Sequence, residues 1–448
     1  MTPVTIVTPP AKGLNATHAP TLRSWLASAN QPSTDFPIQN LPFGVFRRAG
    51  EAQPLRCGVA IGDQVLDMAA VAPLFGGAAA DAALACRSEN LNTLMRQGGL
   101  ALSALRLQLS GFLSTGADAH TQAQLRAALV PLTHAELATP VKVAGFTDFF
   151  ASIHHATHAG SLFRPDNPLL PNYKHLPVAY NGRANSVRCT PFIQRPLGQL
   201  GQSGGARPVF AASDRLDYEV ELGAYIGTPS SADRPVAVGR AWDHIFGFSL
   251  LNDWSARDIQ AWEYQPLGPF LAKTFATSVA PWVITAEALA PFRTAAVPRG
   301  DDPAPLPHLY DAEDQAAGAL AIQVEAHIQS VRMRELGLEA FRLSRSEVSS
   351  LYWTFGQMLA HHTSNGSALD VGDLLGSGTI SGPTADALGC LLEITEGGRK
   401  PLSLPSAEER RFLQDGDEIV LRGFCERQGF ARIGFGECRA TITPSRVI

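Results

Sequence analysis

From residue 141 onward, short apolar runs alternate with glycine and proline turns. Examples are LDYEVELGAYIG, LLGSGTISGP and DGDEIVLRGF. Runs of this length that are bounded by turn residues are typical of short strands rather than of long helices. The pattern therefore predicts a large β-rich domain over residues 141–448, and it limits the fold more than any other feature of the chain.

The N-terminal part of the chain, up to position 140, carries the same signals on a smaller scale. The segments DFPIQNLPFGVF (35–46) and CGVAIGDQVLDM (57–68) contain short apolar runs broken by turn residues, which predict strands. A helix is predicted behind Ser88, where apolar residues recur at helical spacing: Leu91, Leu94, Met95, Leu102 and Leu105. Since 448 residues exceed what one core usually supports, we predict a mainly β (α+β) protein. Its small N-terminal β-barrel-like domain spans 1–140 with a helical connection, and a linker around 131–140 joins it to the larger domain at 141–448.

One helix is predicted inside the larger domain. Ser344 and Glu347 have the spacing of a capping box. The residues that follow recur at helical steps: Val348, Leu351, Tyr352, Phe355, Leu359 and His362. The segment is therefore predicted to be a helix with one buried face.

Charge and cysteine content exclude several classes of protein. The formal net charge is −5 and no basic cluster occurs, so the chain lacks the electrostatic footprint of a nucleic-acid-binding protein. No signal-peptide pattern and no membrane-spanning apolar run is found. The six cysteines form no CxxC motif, which favours free thiols in a reducing compartment. We expect a cytoplasmic protein without nucleic-acid or membrane partners.

Two acidic residues share one face of a predicted strand. In LDYEVEL (216–222), apolar and acidic residues alternate with period two, so Glu219 and Glu221 point the same way. Carboxylates this close repel each other. Such a strand either exposes them to water, which is the commoner arrangement, or offsets the repulsion with a cation.

A second group of polar residues has helical spacing. In NDWSARDIQAWEY (252–264), four polar side chains fall on one predicted helical face: Asp253, Arg257, Gln260 and Tyr264. An exposed helix with ion pairs would explain the pattern equally well.

Three histidines form a third group: His154, His155 and His158. No glutamate stands between His154 and His158 as in HExxH, so zinc is disfavoured there.

These segments together resemble one family, the fumarylacetoacetate hydrolases. The resemblance is carried in order and spacing by DFFASIHHATHAGSLFR, LPNYKHLPVAYNGRANSV, DYEVELG, NDWSARDIQAWEYQPLGPFLAKTFATSVAPWV, GSGTISGP and IGFGEC. It extends to DFPIQNLPFGVF and GVAIGDQVLD, and so covers nearly the whole chain beyond the first twenty or so residues. It implies a homodimeric hydrolase that cleaves 4-fumarylacetoacetate, a small diketo acid, to fumarate and acetoacetate in the last step of tyrosine and phenylalanine breakdown.

The resemblance also assigns roles to individual residues. A hard cation is implied at Asp148, Glu219, Glu221 and Asp253; oxygen ligands of this kind suit Ca²⁺, Mg²⁺ or Mn²⁺ rather than zinc. A second site, for Mg²⁺, is implied at Asp253, Lys273 and Thr277. His155 matches the family's catalytic base and Glu393 the residue that orients it. Leaving-group stabilisation is implied for Arg257, Gln260 and Lys273, and substrate contact for Arg164, Tyr180, Gln260, Tyr264 and Thr379.

One position departs from the family. Phe150 stands where a substrate-contacting tyrosine is usual, so one hydrogen bond, typically worth about 0.5–1.5 kcal/mol, is missing. This departure keeps a related acylpyruvate or diketo-acid hydrolase as an alternative. A protein that binds a metal without catalysis is a second alternative, and it predicts that His155 and Glu393 lie apart.

Overall fold

The computed structural model describes residues 13–202 and 207–446. Its largest sheet has 13 strands. Ten of them lie side by side in the order Leu129–Pro131, Gln64–Asp67, Arg56–Ile61, Phe43–Arg48, Trp282–Thr285, Ile245–Asn252, Val220–Ile226, Leu374–Gly376, Phe146–Phe149 and Ala179–Asn181. Three branch from this path: Ala135–Ala138, Thr277–Val279 and Val187–Arg188.

A second sheet has five strands. Their order is Phe341–Glu347, Gln323–Gln329, Glu418–Cys425, Ile433–Thr443 and Phe192–Gln194. The described residues also form four two-stranded pairs: Leu197–Leu200 with Val209–Ala212, Leu216–Asp217 with Ser255–Ala256, Arg293–Thr294 with Ala319–Leu320, and Leu402–Ser403 with Glu409–Arg410. The strand-rich α+β class predicted above is confirmed.

The α-helices are short and lie between the strands. They are Met68–Val71, Ala80–Ala85, Asn92–Met95, Gly99–Leu113, Ala119–Ala127, Ile153–Phe163, Arg257–Glu263, Leu271–Thr274, Ala312–Ala317, Val331–Glu335, Phe355–Thr363 and Leu391–Ile394. Within residues 13–202 and 207–446, none of these helices has the length and apolarity that a membrane crossing requires.

N-terminal strands belong to the same sheet as strands from the larger predicted domain. Phe43 pairs with Val283 and Gly44 with Trp282, so the sheet continues across the predicted domain boundary. The predicted linker around 131–140 contains the strand Ala135–Ala138, which pairs with Phe43–Arg48. The boundary at residue 140 stays a prediction.

Two helix predictions need correction. The chain behind Ser88 forms Asn92–Met95 and Gly99–Leu113 rather than one helix, because Gly98 adopts a positive φ of 80° that separates them. Residues Ser344 and Glu347 lie in the strand Phe341–Glu347 and form no capping box; only a single 3-10 turn, Val348–Ser350, follows, and the Glu347 side chain makes no capping bond to it. The capping box that forms is Thr354 with Gln357, at the start of Phe355–Thr363.

Two apolar cores hold these layers together. The larger lies in the β-rich part of the chain and includes Trp254, Trp353 and Phe248, all fully buried. The second joins the N-terminal strands and helices to one side of the large sheet through Tyr225 and Val283. Both faces of the central strands are therefore covered, and charged groups placed there are removed from water.

Candidate active site

Asp148 lies in the strand next to one edge of the large sheet. Its strand, Phe146–Phe149, pairs with Leu374–Gly376 on one side and with Ala179–Asn181 on the other. Asp148 stands opposite Gly376, where a Cβ would lie 2.9 Å from Asp148 Oδ1 and 3.0 Å from Glu221 Oε2. The missing side chain leaves the space into which both carboxylates project.

Glu219 and Glu221 come from a strand that is interrupted. The predicted continuous strand over 216–222 forms as Leu216–Asp217 and Val220–Ile226, separated by Tyr218 and Glu219. All seven residues are buried. The interpretation of a solvated strand face is therefore wrong, and the repulsion between these carboxylates must be offset inside the protein.

Asp253 follows directly on the strand Ile245–Asn252 and is not on a helix. The helix begins at Arg257 and includes Gln260, whereas Tyr264 caps its end. The predicted helical face is thus correct for Arg257 and Gln260 and wrong for Asp253. The reason is the short strand Ser255–Ala256, which turns the chain before the helix starts.

Three buried cations lie among these carboxylates. Arg183 Nη1 donates to Asp253 at 2.6 Å and its Nη2 donates to Asp148 at 2.8 Å. Lys273 Nζ donates to Glu219 at 2.7 Å and to Asp253 at 2.6 Å. Arg257 Nη1 pairs with Glu219 at 2.7 Å.

The cluster carries more negative than positive charge. A fifth buried carboxylate, Asp217, accepts from Arg257 Nε at 2.9 Å. Five carboxyl groups therefore face three cations, and full ionisation of all five would leave two negative charges unbalanced. Burial and the neighbouring Asp253 raise the pKa of Asp148 to about 7. Burial and Asp148 raise the pKa of Glu221 well above its ordinary range.

The donor set fits one divalent cation. Oxygens of Asp148, Glu221 and Asp253 lie within 4.8 Å of one another. Asp148 Oδ1 and both carboxylate oxygens of Glu221 are buried without a hydrogen-bond partner among the described residues. An ion with charge +2 would balance the charge and satisfy these oxygens, and an all-oxygen set suits Ca²⁺, Mg²⁺ or Mn²⁺. Glu219, the fourth predicted ligand, is held by Arg257 and Lys273.

The predicted second cation site, at Asp253, Lys273 and Thr277, has no unpartnered side-chain oxygen among the described residues. Thr277 Oγ1 lies 2.9 Å from Ser186 Oγ and accepts from Arg183 Nη1 at 3.4 Å, and Lys273 Nζ is bonded to two carboxylates. Among the described residues, no orphaned oxygen of Thr277 or Asp253 marks a ligand there. The second cation stays a prediction.

His155 and Glu393 are in direct contact. His155 Nδ1 lies 2.7 Å from Glu393 Oε2, and both side chains are buried. The helix Ile153–Phe163 is capped by Ser152, whose side chain accepts from the His155 amide. The Ser381 hydroxyl also donates to Glu393 Oε2, at 2.8 Å. The imidazole is therefore held by a carboxylate that is itself fixed.

The second oxygen of Glu393 binds another histidine. His158 Nδ1 lies 3.0 Å from Glu393 Oε1, and its side chain is 39% exposed. Burial acts against ionisation of Glu393, but the charge of His155 and the hydrogen bonds from His155 and His158 hold its pKa well below the ordinary value. The hydrogen bond to Glu393 raises the pKa of His158, whereas burial lowers the pKa of His154.

A cavity of about 490 Å³ connects these groups. Its lining contains twelve of the residues predicted above: Asp148, Phe150, His155, Arg164, Tyr180, Glu219, Glu221, Arg257, Gln260, Tyr264, Lys273 and Thr379. Asp253, Thr277 and Glu393 lie behind that lining. Phe150 packs edge-on against the His155 ring, with centroids 5.4 Å apart.

A larger cavity, about 730 Å³, lies beside the helix Gly99–Leu113. Its lining includes Arg106 and Glu287 but none of the site residues predicted from the sequence. Arg106 is fully engaged by Thr17, Gln39 and Asn40. The chemistry of its lining, rather than its size, therefore makes the smaller cavity the candidate active site.

Sequence reasoning missed two residues of this site. Arg183 has a left-handed backbone, with φ 64°, that turns its guanidinium onto Asp148 and Asp253; the segment LPNYKHLPVAYNGRANSV contained it without singling it out. Asp217 has the same parity as Glu219 and Glu221 in the alternating run, and that spacing was a usable signal.

A hydrolase is the class of enzyme that this strand-rich fold and this site define. The family profile described as "Fumarylacetoacetate (FAA) hydrolase C-terminal" matches residues 145–443, and "Fumarylacetoacetase N-terminal" matches residues 39–140. The chain belongs to the fumarylacetoacetate hydrolase family.

Similar proteins span nearly the whole chain. The fumarylacetoacetase of Oryza sativa subsp. japonica is 44% identical over 432 residues, covering 95% of this chain and 98% of the relative. The fumarylacetoacetase of Homo sapiens is 42% identical over 419 residues, covering 92% and 97%. The chain is also similar to a solved structure, fumarylacetoacetate hydrolase from psychrophilic Exiguobacterium antarcticum. The match covers 91% of this chain and 100% of the solved one, with 16% sequence identity and a TM-score of 0.49.

Proposed function

We propose that the chain hydrolyses the carbon–carbon bond of 4-fumarylacetoacetate, releasing fumarate and acetoacetate, as the last step of tyrosine and phenylalanine breakdown. One observation carries the proposal: the His155–Glu393 pair and the unbalanced acidic cluster open on the same cavity. The fumarylacetoacetases that are 41–44% identical to the chain support the choice of substrate.

The cation is assigned to Asp148, Glu221 and Asp253, with Glu219 beside them. These residues would hold a Ca²⁺ or Mg²⁺ ion, which would supply Lewis acidity toward the diketone oxygens. Arg183 and Lys273 hold the carboxylates in place and reduce their mutual repulsion.

His155 is assigned the role of general base. Because Glu393 remains ionised and accepts a hydrogen bond at 2.7 Å, the proton of the neutral ring resides on Nδ1 and Nε2 is the basic nitrogen. Nε2 takes a proton from water, and the resulting hydroxide adds to the carbonyl carbon. Glu393 stabilises the imidazolium that forms, as a carboxylate does in other imidazole-based sites.

The leaving group is carbon, so its negative charge must be stabilised. When the tetrahedral adduct collapses, the bond to the acetoacetate carbon breaks and its electron pair becomes an enolate. A proton from the imidazolium of His155 then adds to the enolate carbon, which gives acetoacetate and restores the neutral base. Arg257 Nη2 is buried and has no hydrogen-bond partner among the described residues, so it is available to this developing charge. Lys273 and Gln260 line the same part of the cavity.

The remaining contacts are assigned to substrate binding. Arg164 and Tyr264 are exposed at the rim of the cavity, whereas Thr379 is buried in its wall. Tyr180 is anchored by Arg183 Nη2 at 2.9 Å. Phe150 offers only the apolar edge of its ring. We therefore expect weaker substrate binding, whereas the base, His155, and the cations Arg257 and Lys273 are unaffected.

We also propose a cytoplasmic homodimer. Large apolar side chains are exposed near the cavity mouth: Trp262, Leu267, Phe270 and Leu271. Exposed apolar clusters of this kind mark contact surfaces. Light scattering of the purified chain measures its mass, and a monomer at micromolar concentration would contradict the dimer.

The hydrolase proposal is tested with the purified protein and 4-fumarylacetoacetate, by following the loss of the diketone's ultraviolet absorbance. EDTA should abolish turnover, and Ca²⁺ or Mg²⁺ should restore it. His155→Ala should lose at least about 1000-fold in kcat, with an unchanged circular dichroism spectrum and metal content. Full activity in verified metal-free protein, or in His155→Ala, would refute the mechanism.

The two alternatives give different results. An acylpyruvate hydrolase would show a higher kcat/KM with acetylpyruvate than with fumarylacetoacetate. The non-catalytic alternative required His155 and Glu393 to lie apart, and their distance of 2.7 Å is against it. Phe150→Tyr, which restores the missing hydroxyl, should lower KM for fumarylacetoacetate if that compound is the substrate.

A further inference from the structure

Asp217 lies outside the cavity lining and is fully buried. Its carboxylate accepts four hydrogen bonds. Oδ2 accepts from Arg257 Nε at 2.9 Å and from the Leu392 amide at 2.9 Å. Oδ1 accepts from the Leu391 amide at 2.8 Å and from the Tyr218 amide at 2.9 Å. One side chain therefore contacts two distant parts of the chain.

The first contact fixes the guanidinium of Arg257. Asp217 holds Nε, while Glu219 and Gln260 hold Nη1 at 2.7 Å and 3.2 Å. Two of the three nitrogens are thereby fixed, and the planar group has no freedom to rotate. The remaining nitrogen, Nη2, has no partner among the described residues, and it is the one assigned above to the developing enolate charge.

The second contact fixes the start of the helix Leu391–Ile394. Its N-cap residue, Cys390, makes no side-chain capping bond. Asp217 instead accepts from the first two amides of the helix, although it lies more than 170 positions earlier in the chain. A carboxylate at a helix start satisfies otherwise unpaired amides. Glu393 follows one residue later and holds His155.

We propose that Asp217 is a positioning residue that aligns the leaving-group cation, Arg257, and the base-orienting carboxylate, Glu393, from a single buried site. The proposal rests on the hydrolysis assigned above. Asp217 does not touch the substrate; it acts through Arg257 and through the helix Leu391–Ile394. Its loss should therefore slow the chemical step more than it weakens substrate binding.

The test compares Asp217→Asn with the wild type, both full-length and saturated with Ca²⁺. Asn keeps the shape but places an NH₂ group against donors, whichever way the amide faces. The expected result is a 10- to 100-fold lower kcat, roughly the loss seen when a partner that orients a ligand is removed. KM should change less than about threefold, since only interactions made in the transition state are lost.

A pH profile supplies a readout that a merely structural role would not alter. Misalignment of Glu393 weakens its hold on the imidazolium of His155, so the acidic limb of kcat should move to lower pH in Asp217→Asn. If this variant does not fold, Asp217→Ser, which removes the charge with a smaller side chain, takes its place in the same comparison.

The matched control is Asp417→Asn. Asp417 is also fully buried, also pairs with an arginine (Arg410, 2.9 Å and 3.0 Å) and also accepts from a backbone amide (Gln414). Unlike Arg257, however, Arg410 does not line the cavity. Its loss should lower the melting temperature and leave kcat unchanged. An unaltered kcat in folded Asp217→Asn, or an equal fall in Asp417→Asn, would overturn the proposal. A wild type that does not turn over fumarylacetoacetate would instead refute the proposed function.

Discussion

Glu221 has both carboxylate oxygens buried and unpartnered among the described residues, whereas Glu219, two residues earlier, is paired with Arg257 and Lys273. A buried charge without a partner is costly unless something else compensates it. The difference between these two glutamates indicates that the cation belongs beside Glu221.

Glu221→Gln is expected to stabilise the metal-free protein, by about 1–3 kcal/mol, because it removes a carboxyl group that is buried without a partner and offers an NH₂ donor to the unpartnered Asp148 Oδ1. Ca²⁺ should raise the melting temperature of the wild type but not of the variant. Thermal unfolding in EDTA and in Ca²⁺ measures both effects. As a control, Glu325→Gln should be destabilising, since Glu325 already has Arg345 and His327 as partners.

His158 gives a stability effect that depends on pH. Because the bond to Glu393 raises its pKa, His158 stabilises the fold fully below the unfolded value of about 6.5 and loses this contribution as pH rises through the folded pKa. His158→Gln should therefore reduce stability more at about pH 5.5 than at about pH 8. Urea unfolding measures the difference, and a larger effect at alkaline pH would contradict it.

His154 serves as a control of opposite sign. Burial, followed by the nearby His158, lowers its pKa. Its charged form is therefore disfavoured in the fold, and it costs stability when pH falls below the unfolded value. His154→Gln should gain stability relative to the wild type on acidification.

Individual roles were predictable to different degrees. His155 and Glu393 lie 238 positions apart, and only the resemblance to a family linked them. Glu219 and Glu221 could be grouped by strand parity, but burial could not be read from that alternation because both faces of a central strand are covered. The role of Arg183 could not be predicted, because it depends on the left-handed backbone conformation of Arg183 itself.

At the scale of elements, the strand Leu374–Gly376 joins the two halves of the acidic cluster. It pairs with Val220–Ile226 on one side and with Phe146–Phe149 on the other. Gly376 thus separates the strands that carry Glu221 and Asp148, and the lack of a side chain there is a requirement of the site.

Gly376→Ala is expected to weaken Ca²⁺ affinity about 10-fold or more while preserving the sheet. Its Cβ would displace the carboxylates of Asp148 and Glu221 by a few tenths of an ångström, and metal ligands tolerate little displacement. Calorimetric titration with Ca²⁺ measures the affinity. Gly111→Ala, where nothing lies within 4 Å of the new Cβ, should leave it unchanged; equal affinities in both variants would contradict the prediction.

Helix starts were the least predictable elements. Two pairs of residues near position 350 have the spacing of a capping box. Only Thr354 with Gln357 forms one, because Ser344 and Glu347 belong to the strand Phe341–Glu347. That strand exists because Gln323–Gln329 pairs with it across the second sheet. Local spacing cannot reveal such a partner, since tertiary pairing overrides local preference.

At the scale of the whole molecule, the N-terminal strands complete the large sheet. Phe43–Arg48 pairs with Trp282–Thr285, and the second apolar core combines N-terminal side chains with Phe246, Leu251 and Leu374. The β-rich class could be predicted from turn spacing, but this shared sheet could not, because pairing between strands so distant in the chain leaves no local pattern.

A fragment comprising residues 141–448 should therefore fail to fold as a stable unit. It would expose the partner edge of Trp282–Thr285 and the apolar face of the second core. We expect aggregation or binding of a hydrophobic dye, and no turnover, with recovery when residues 1–140 are co-expressed. A monodisperse fragment that unfolds cooperatively at the wild-type temperature would contradict this expectation.

The position of Leu374–Gly376 between two much earlier strands has a consequence for biosynthesis. Asp148 and Glu221 leave the ribosome long before the strand that brings them together, and Glu393 emerges later still. At translation rates of roughly 5–20 residues per second, the nascent chain spends several seconds or more without a pocket. Products of premature termination before this strand therefore contain His155 but lack Glu393 and the strand that brings Asp148 and Glu221 together, so we expect them to have no hydrolytic activity.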